Sequence, residues 1–141
     1  MFKHILVPVD LRLPDPVSKA LDVAMEMARI EGARMTLVNV SGGTSGETYN
    51  DDAAEEVITS LAKKIEGKIA GQADGVKVEG ITVHSNDVSA EVDGILARTV
   101  DETGADLVIA GSHAPRLLDY ITTSHAGYLV RHSKASVFVV R

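Results

Sequence analysis

The chain has 141 residues, is 45 % hydrophobic, contains no cysteine and carries a formal charge of −6 from 14 basic and 20 acidic side chains. That length suits one domain with one core, here residues 1–141, and the lack of thiols excludes disulfides and thiolate metal sites. The acidic balance argues against a nucleic-acid partner, because binding the phosphate backbone draws on clustered Lys and Arg.

The first apolar run is Ile5, Leu6, Val7, Pro8 and Val9, cut by Asp10. It is too short for a signal peptide, and nothing later approaches the roughly 20 apolar residues of a membrane span. The expectation is a soluble cytoplasmic protein with no membrane partner. Asp15 followed by Pro16 reads as an N-cap with proline at the first helical position. Val17, Leu21, Ala24 and Ala28 then fall on one helical stripe with Met25 beside it. Gly32 ends that pattern, and residues 35–40 form a second apolar run.

Residues 41–46 read as a flexible Ser/Gly loop that fits neither G-x-G-x-x-G nor G-x-x-x-x-G-K-[ST]. Val57, Leu61, Ile65 and Ile69 recur every fourth residue as a second helix, closed near Gly71. A third strand is expected over 76–83. A third helix carries Val92, Leu96 and Val100 and stops at Gly104. Gly32, Gly71 and Gly104 all stand where a left-handed C-cap is expected. Strands over 107–110 and 137–140 flank a long connection, 111–124, and a helix over 125–132. The order βαβαβαβαβ specifies an α/β fold with a parallel sheet and right-handed crossovers.

In such sheets ligands bind beyond the carboxyl ends of the strands. Asp10 ends the first strand, where a carboxylate can accept two hydrogen bonds from a ribose diol; an ordinary solvated or capping aspartate is the alternative. Gly111 allows a sharp turn and close ligand approach. Thr123 and Ser124 start the last helix, where their hydroxyls, with the N–H groups of Ser124, His125 and Ala126, make an anion site or a simple N-cap. His125 and His132 lie roughly 10 Å apart along that helix, too far to share a metal ion directly. His4 and His84 read as surface or strand-end residues, and His113 as shaping a turn. No G-x-S-x-G elbow accompanies Ser112. A response-regulator reading lacks the paired acids and the lysine that it needs.

Five segments carry a family resemblance. They are Ile5 to Asp10 at the start, Leu37-Val38-Asn39-Val40 in the second strand, and the run from Gly104 to His113 followed by Leu129-Val130-Arg131-His132 and Val137 to Arg141. Together they resemble the universal stress protein family over nearly the whole chain. The resemblance implies a five-stranded parallel sheet in the order 3-2-1-4-5 with helices on both faces, as in adenine nucleotide alpha hydrolase-like folds. Asp10 and the 111–124 connection would then share a crevice.

Nucleotide-binding members carry G-x-x-G-x9-G-[ST] in that connection. Gly111 matches its first glycine. Ala114 stands at the second, the spacing is one residue shorter, and Thr123-Ser124 replaces the last pair. Ser112-His113-Ala114-Pro115 is similar to the Ser-His-x-Pro element of a subgroup that also binds adenine nucleotides. The resemblance places adenine and ribose at Pro8, Val9, Asp10 and the Val40 backbone. It places the phosphates at Gly111, Ser112, His113, Ala114, Thr123 and Ser124, with Arg116 or His125 as added contacts. The implied ligand is ATP or AMP, with or without Mg²⁺.

The implied role is a stress-response regulatory protein working as a homodimer through Val137, Phe138, Val139 and Val140, an apolar edge strand. A monomer whose own helix covers that edge is the alternative. At most a weak ATPase is expected, since no general base or metal-binding carboxylate pair is visible. The alternative function is a stress-response interaction protein that binds no nucleotide. In that reading the extra β-carbons of Ala114 and Thr123 reflect a closed or altered pocket.

Overall fold

Two Gly-Ala stops set the frame of the molecule. The computed structural model describes residues 1–11, 18–42, 51–71, 75–111 and 124–141. In these, Gly32 (φ 65°) ends α1, Ser18–Glu31, and Gly104 (φ 68°) ends α3, Val88–Thr103. After each, the alanine N–H reaches back five residues: Ala33 to the Ala28 carbonyl and Ala105 to the Val100 carbonyl, both at 3.1 Å. These are Schellman closures, which favour glycine because its backbone enters the left-handed region without a β-carbon clash. Asp87 caps the other end of α3, its carboxylate accepting the Ala90 N–H at 3.2 Å. Gly71 departs from expectation. It follows α2, Asp51–Ala70, but its φ is not left-handed, and the left-handed glycine is Gly75 (φ 92°) just before β3. The Asp15–Pro16 start of the first helix and Val17 lie outside the described residues, as do Gly43 to Gly46 of the Ser/Gly loop.

The strands are β1 His4–Pro8, β2 Arg34–Ser41, β3 Val78–His84, β4 Leu107–Gly111 and β5 Ser136–Val140, and α4 spans Ser124–His132. They form one all-parallel sheet in the order β3-β2-β1-β4-β5. Alternate residues of β1 feed two cores. Ile5, Val7 and Val9 pack with α1 and α2 against Leu21, Ala24, Ile58 and Ile65. Leu6 packs on the other face, with α3 and α4, against Val92, Leu96, Val100 and Leu129. Burial on both faces is why the central strands read as unbroken apolar runs.

Helix α2 turns differently from its expected stripe. Ile58, Ala62, Ile65 and Ile69 are buried with Ala54, whereas Val57 is 53 % exposed. Steps of four residues rotate 40° each on a helix, so a four-residue repeat drifts off any single face. The contact that decides the rotation is Gly80 of β3. A β-carbon there would stand 2.6 Å from the Ile58 carbonyl oxygen, so the helix backbone lies directly on the strand.

At the amino-terminal end of the sheet, Asp106 ties three strands together. Its carboxylate accepts the N–H of Lys3 at 2.9 Å and of His4 at 3.0 Å, and its carbonyl accepts the Ser136 N–H at 3.0 Å. Burial pushes this carboxyl up, but the backbone donors outweigh it and hold it below its ordinary range. His4 does sit at a strand end, but it is buried, only 2 % exposed, rather than on the surface.

Candidate functional site

The order of the strands puts β1 beside β4 although two helices and two strands separate them in sequence. Chain leaving β1 goes to α1 on one face, and chain leaving β4 goes to α4 on the other. This is the point where the winding direction reverses, and it is where such sheets open. The register shows the opening. Strands β1 and β4 pair at Ile5↔Leu107 and Leu6↔Val108 only. By contrast, β1 stays with β2 to Pro8↔Val38, and β4 stays with β5 to Gly111↔Val140. The two central strands therefore part over their carboxyl-terminal halves.

Several of the expected site residues surround this opening. Pro8 ends β1, and the Val9 N–H still donates to the Val38 carbonyl at 2.8 Å, so the chain turns away only after Val9. Val9 is buried, whereas Pro8 and Asp10 are half-buried. Val40 lies two residues beyond the last β1–β2 pair, so the end of β2 projects past β1. Gly111 faces the gap from β4. It is not the sharp turn expected from the sequence: it still pairs with Val140, its φ is not left-handed, and an added β-carbon would meet only the Ala20 methyl at 3.5 Å. Ser112, His113, Ala114, Arg116 and Thr123 lie outside the described residues. Ser124 and His125 form the first turn of α4, and their side chains also lie outside what is described.

One polar pair at this end of the sheet was not assigned a role from sequence. Asn39 is buried at 3 % exposure and faces Thr82 across the β2–β3 pair. Neither the Asn39 Nδ2 nor the Thr82 Oγ1 has a hydrogen-bond partner among the described residues. The signal was present as a lone carboxamide inside the apolar run Leu37-Val38-Asn39-Val40. A shallow concavity lined by Asp52, Glu55, Glu56, Thr59 and Ser60 lies on the exposed face of the amino-terminal half of α2. Its acidic lining repels an anion. Among the described residues no group of three or more His, Asp or Glu side chains is placed to hold a metal ion. No helix there is long and apolar enough to cross a membrane.

A family model described as the universal stress protein family matches residues 1–141. The chain belongs to that family. Universal stress protein G of Salmonella typhimurium is 24 % identical over 143 residues, covering 100 % of both chains. A universal stress protein from Archaeoglobus fulgidus in complex with dAMP superposes with a TM-score of 0.66 at 20 % identity, covering 99 % of this chain and 98 % of the other. Another universal stress protein, in complex with cAMP, superposes with a TM-score of 0.64 at 18 % identity, over 99 % of this chain and 97 % of that one. At these identities the two structures establish the fold of this family member, the five-stranded parallel sheet in the order 3-2-1-4-5.

Proposed function

We propose that this universal stress protein binds an adenine nucleotide, ATP or AMP, in the opening between β1 and β4. In this reading it serves a stress response as a cytoplasmic regulatory homodimer rather than as an enzyme. The observation that carries the reading is the early parting of β1 from β4, beside a half-buried carboxylate at Asp10 and a strand end without a side chain at Gly111. Two structures of similar fold hold dAMP and cAMP, which share the adenine base and one phosphate. Asp10 would accept the ribose hydroxyls, and Pro8, Val9 and the Val40 backbone would border the base. The phosphates would lie toward Gly111 and the first turn of α4, where backbone N–H groups and the helix dipole favour an anion. Ser112, His113, Ala114, Arg116, Thr123, Ser124 and His125 complete the proposed phosphate side, and Mg²⁺ would enter with ATP.

Calorimetric titration with AMP, and with ATP and Mg²⁺, tests this. Saturable binding below millimolar concentration is expected. No heat at millimolar nucleotide sinks the reading and leaves an interaction protein with an altered pocket. Gly111→Ala should leave stability within about 0.5 kcal/mol, because the new methyl makes an ordinary contact. The same change should weaken nucleotide binding by about tenfold, or about 1.4 kcal/mol, if phosphate approaches the backbone there.

The homodimer reading rests on β5. It is an edge strand, with Phe138 47 % and Val139 40 % exposed and Val137 and Val140 half-buried against the two cores. Apolar edges of this kind are usually paired or covered. Sedimentation should find a dimer that Val139→Lys converts to monomer; a monomeric wild-type chain ends the dimer reading.

A further inference from the structure

At the end of the sheet opposite the opening, a chain of polar side chains crosses three strands on the α3 face. His4 of β1 places Nδ1 3.1 Å from the Thr103 carbonyl oxygen and Nε2 2.8 Å from the Thr36 hydroxyl of β2. The same hydroxyl stands 2.8 Å from the Glu79 carboxylate of β3. Each contact needs one hydrogen. The Thr103 carbonyl and an ionised carboxylate only accept, so neutral His4 and Thr36 together supply two hydrogens for three contacts.

Which contact goes without depends on the charge of His4. With a neutral ring, Nδ1–H serves Thr103, and the hydroxyl hydrogen must choose between Nε2 and Glu79. Nε2 is buried and has no other hydrogen-bond partner among the described residues, whereas exposed Glu79 can take water. The hydroxyl therefore turns to Nε2, since an unmet buried group costs more than a solvated one. With a protonated ring, Nε2–H donates to the Thr36 oxygen, and the hydroxyl is released toward Glu79. All three contacts are then satisfied.

We propose that protonation of His4 swings the Thr36 hydroxyl from the imidazole to Glu79, so that the charge of a buried group in β1 is passed to the edge strand β3. The charged groups facing His4 are Arg34 of β2, Glu79 of β3 and Asp106 of the turn before β4, while α3 presents the Thr103 carbonyl. Arg34 also donates to that carbonyl at 3.0 Å, so Thr103 keeps a partner in either state. Burial and the Arg34 guanidinium hold His4 below its ordinary 6.5, against the pull of Thr103, Glu79 and Asp106. The unfolded chain thus binds this proton more readily. The associated stability is present above about pH 6.5 and is lost as pH falls through the folded-state value. The swing belongs to mildly acidic conditions. His4 and Asp10 are six residues apart, roughly 20 Å along the strand, so the swing is separate from the proposed nucleotide site.

The test is an NMR titration of the full chain, following the His4 ring nitrogens and the Glu79 side-chain carboxyl carbon from pH 8 downward. In the wild type, Glu79 should show an inflection coincident with His4. Thr36→Val, nearly the same shape without the hydroxyl, should shrink that inflection to the part carried by the direct field between the two charges while His4 still titrates. An inflection of undiminished size in Thr36→Val reports only a through-space field and overturns the proposal, as does its absence from the wild type. Should Thr36→Val fail to fold, Thr36→Ser must keep the inflection, and Glu79→Gln must move the His4 midpoint to lower pH. Loss of the inflection in the serine variant, or an unmoved midpoint in Glu79→Gln, overturns it equally.

Discussion

Gly80→Ala should lower stability by about 2–3 kcal/mol, the range for forcing volume into a packed core. The new methyl carbon would lie 2.6 Å from the Ile58 carbonyl oxygen, 2.8 Å from its carbonyl carbon and 2.9 Å from its Cγ1. Two of those three atoms are backbone, so no rotamer change relieves the clash. Helix α2 must lift from β3, and the packing of Ile58, Ala62 and Ile65 loosens with it. Alanine's usual advantage over glycine in a strand, about 0.5–1 kcal/mol, offsets only part of this. In urea the unfolding midpoint should fall by about 1 M or more, given a slope of roughly 1–3 kcal/mol per molar. Gly67, within α2, is the control. A β-carbon there meets nothing within 4 Å, so Gly67→Ala should stabilise the chain by up to about 1 kcal/mol. Equal midpoints for the wild type and Gly80→Ala would mean that α2 does not rest on Gly80.

Asp10→Ala should weaken adenine-nucleotide binding on the order of ten- to a hundredfold, because a hydrogen bond to a charged group contributes about 1.5–3 kcal/mol. The carboxylate stands two residues past the end of β1, half-buried beside the opening toward β4. In the proposed site it accepts both ribose hydroxyls, and alanine accepts neither. The comparison ligand is 2′-deoxy-AMP, which lacks one hydroxyl. It should bind the wild type more weakly than AMP and should lose less affinity than AMP on going to Asp10→Ala. Circular dichroism establishes that the variant retains the sheet. Unchanged AMP affinity in a folded variant would place the ribose somewhere other than Asp10, while leaving nucleotide binding itself standing.

The legible parts of the sequence and the illegible ones differ in physical kind. All five strands are readable as short apolar runs. The central ones, β1, β2 and β4, are buried on both faces, and the edge strands β3 and β5 still pack against the cores. The Gly32-Ala33 and Gly104-Ala105 stops were readable because a Schellman closure depends on a residue next to the helix end, not on a distant one. Gly71 shares that appearance but does not turn left-handed. Which glycine turns left-handed depends on where the chain must go next, and here the turn falls at Gly75. Within α2 the apolar period identified a helix but chose Val57 in place of Ile58, because the helix's rotation about its own axis is decided by Gly80 in another element. His4 reads from sequence as a surface or strand-end residue, and only the second holds. Its burial required Thr36, Glu79 and Thr103, which are 32 to 99 positions away.

The candidate site divides along the same line. Asp10 and Gly111 could be singled out as residues at carboxyl ends, and the family resemblance supplied the expected strand order. The parting of β1 from β4 after two register pairs is visible only in three dimensions. By itself the sequence determined the alternation of strands and helices, two of the helix stops and the membership of the universal stress protein family, because period, caps and motif order are properties of neighbours along the chain. The tertiary structure decided the face that α2 buries, the buried relay at His4 and the place where the sheet opens. Each of these is a contact, or a missing contact, between residues that only folding brings to the same point.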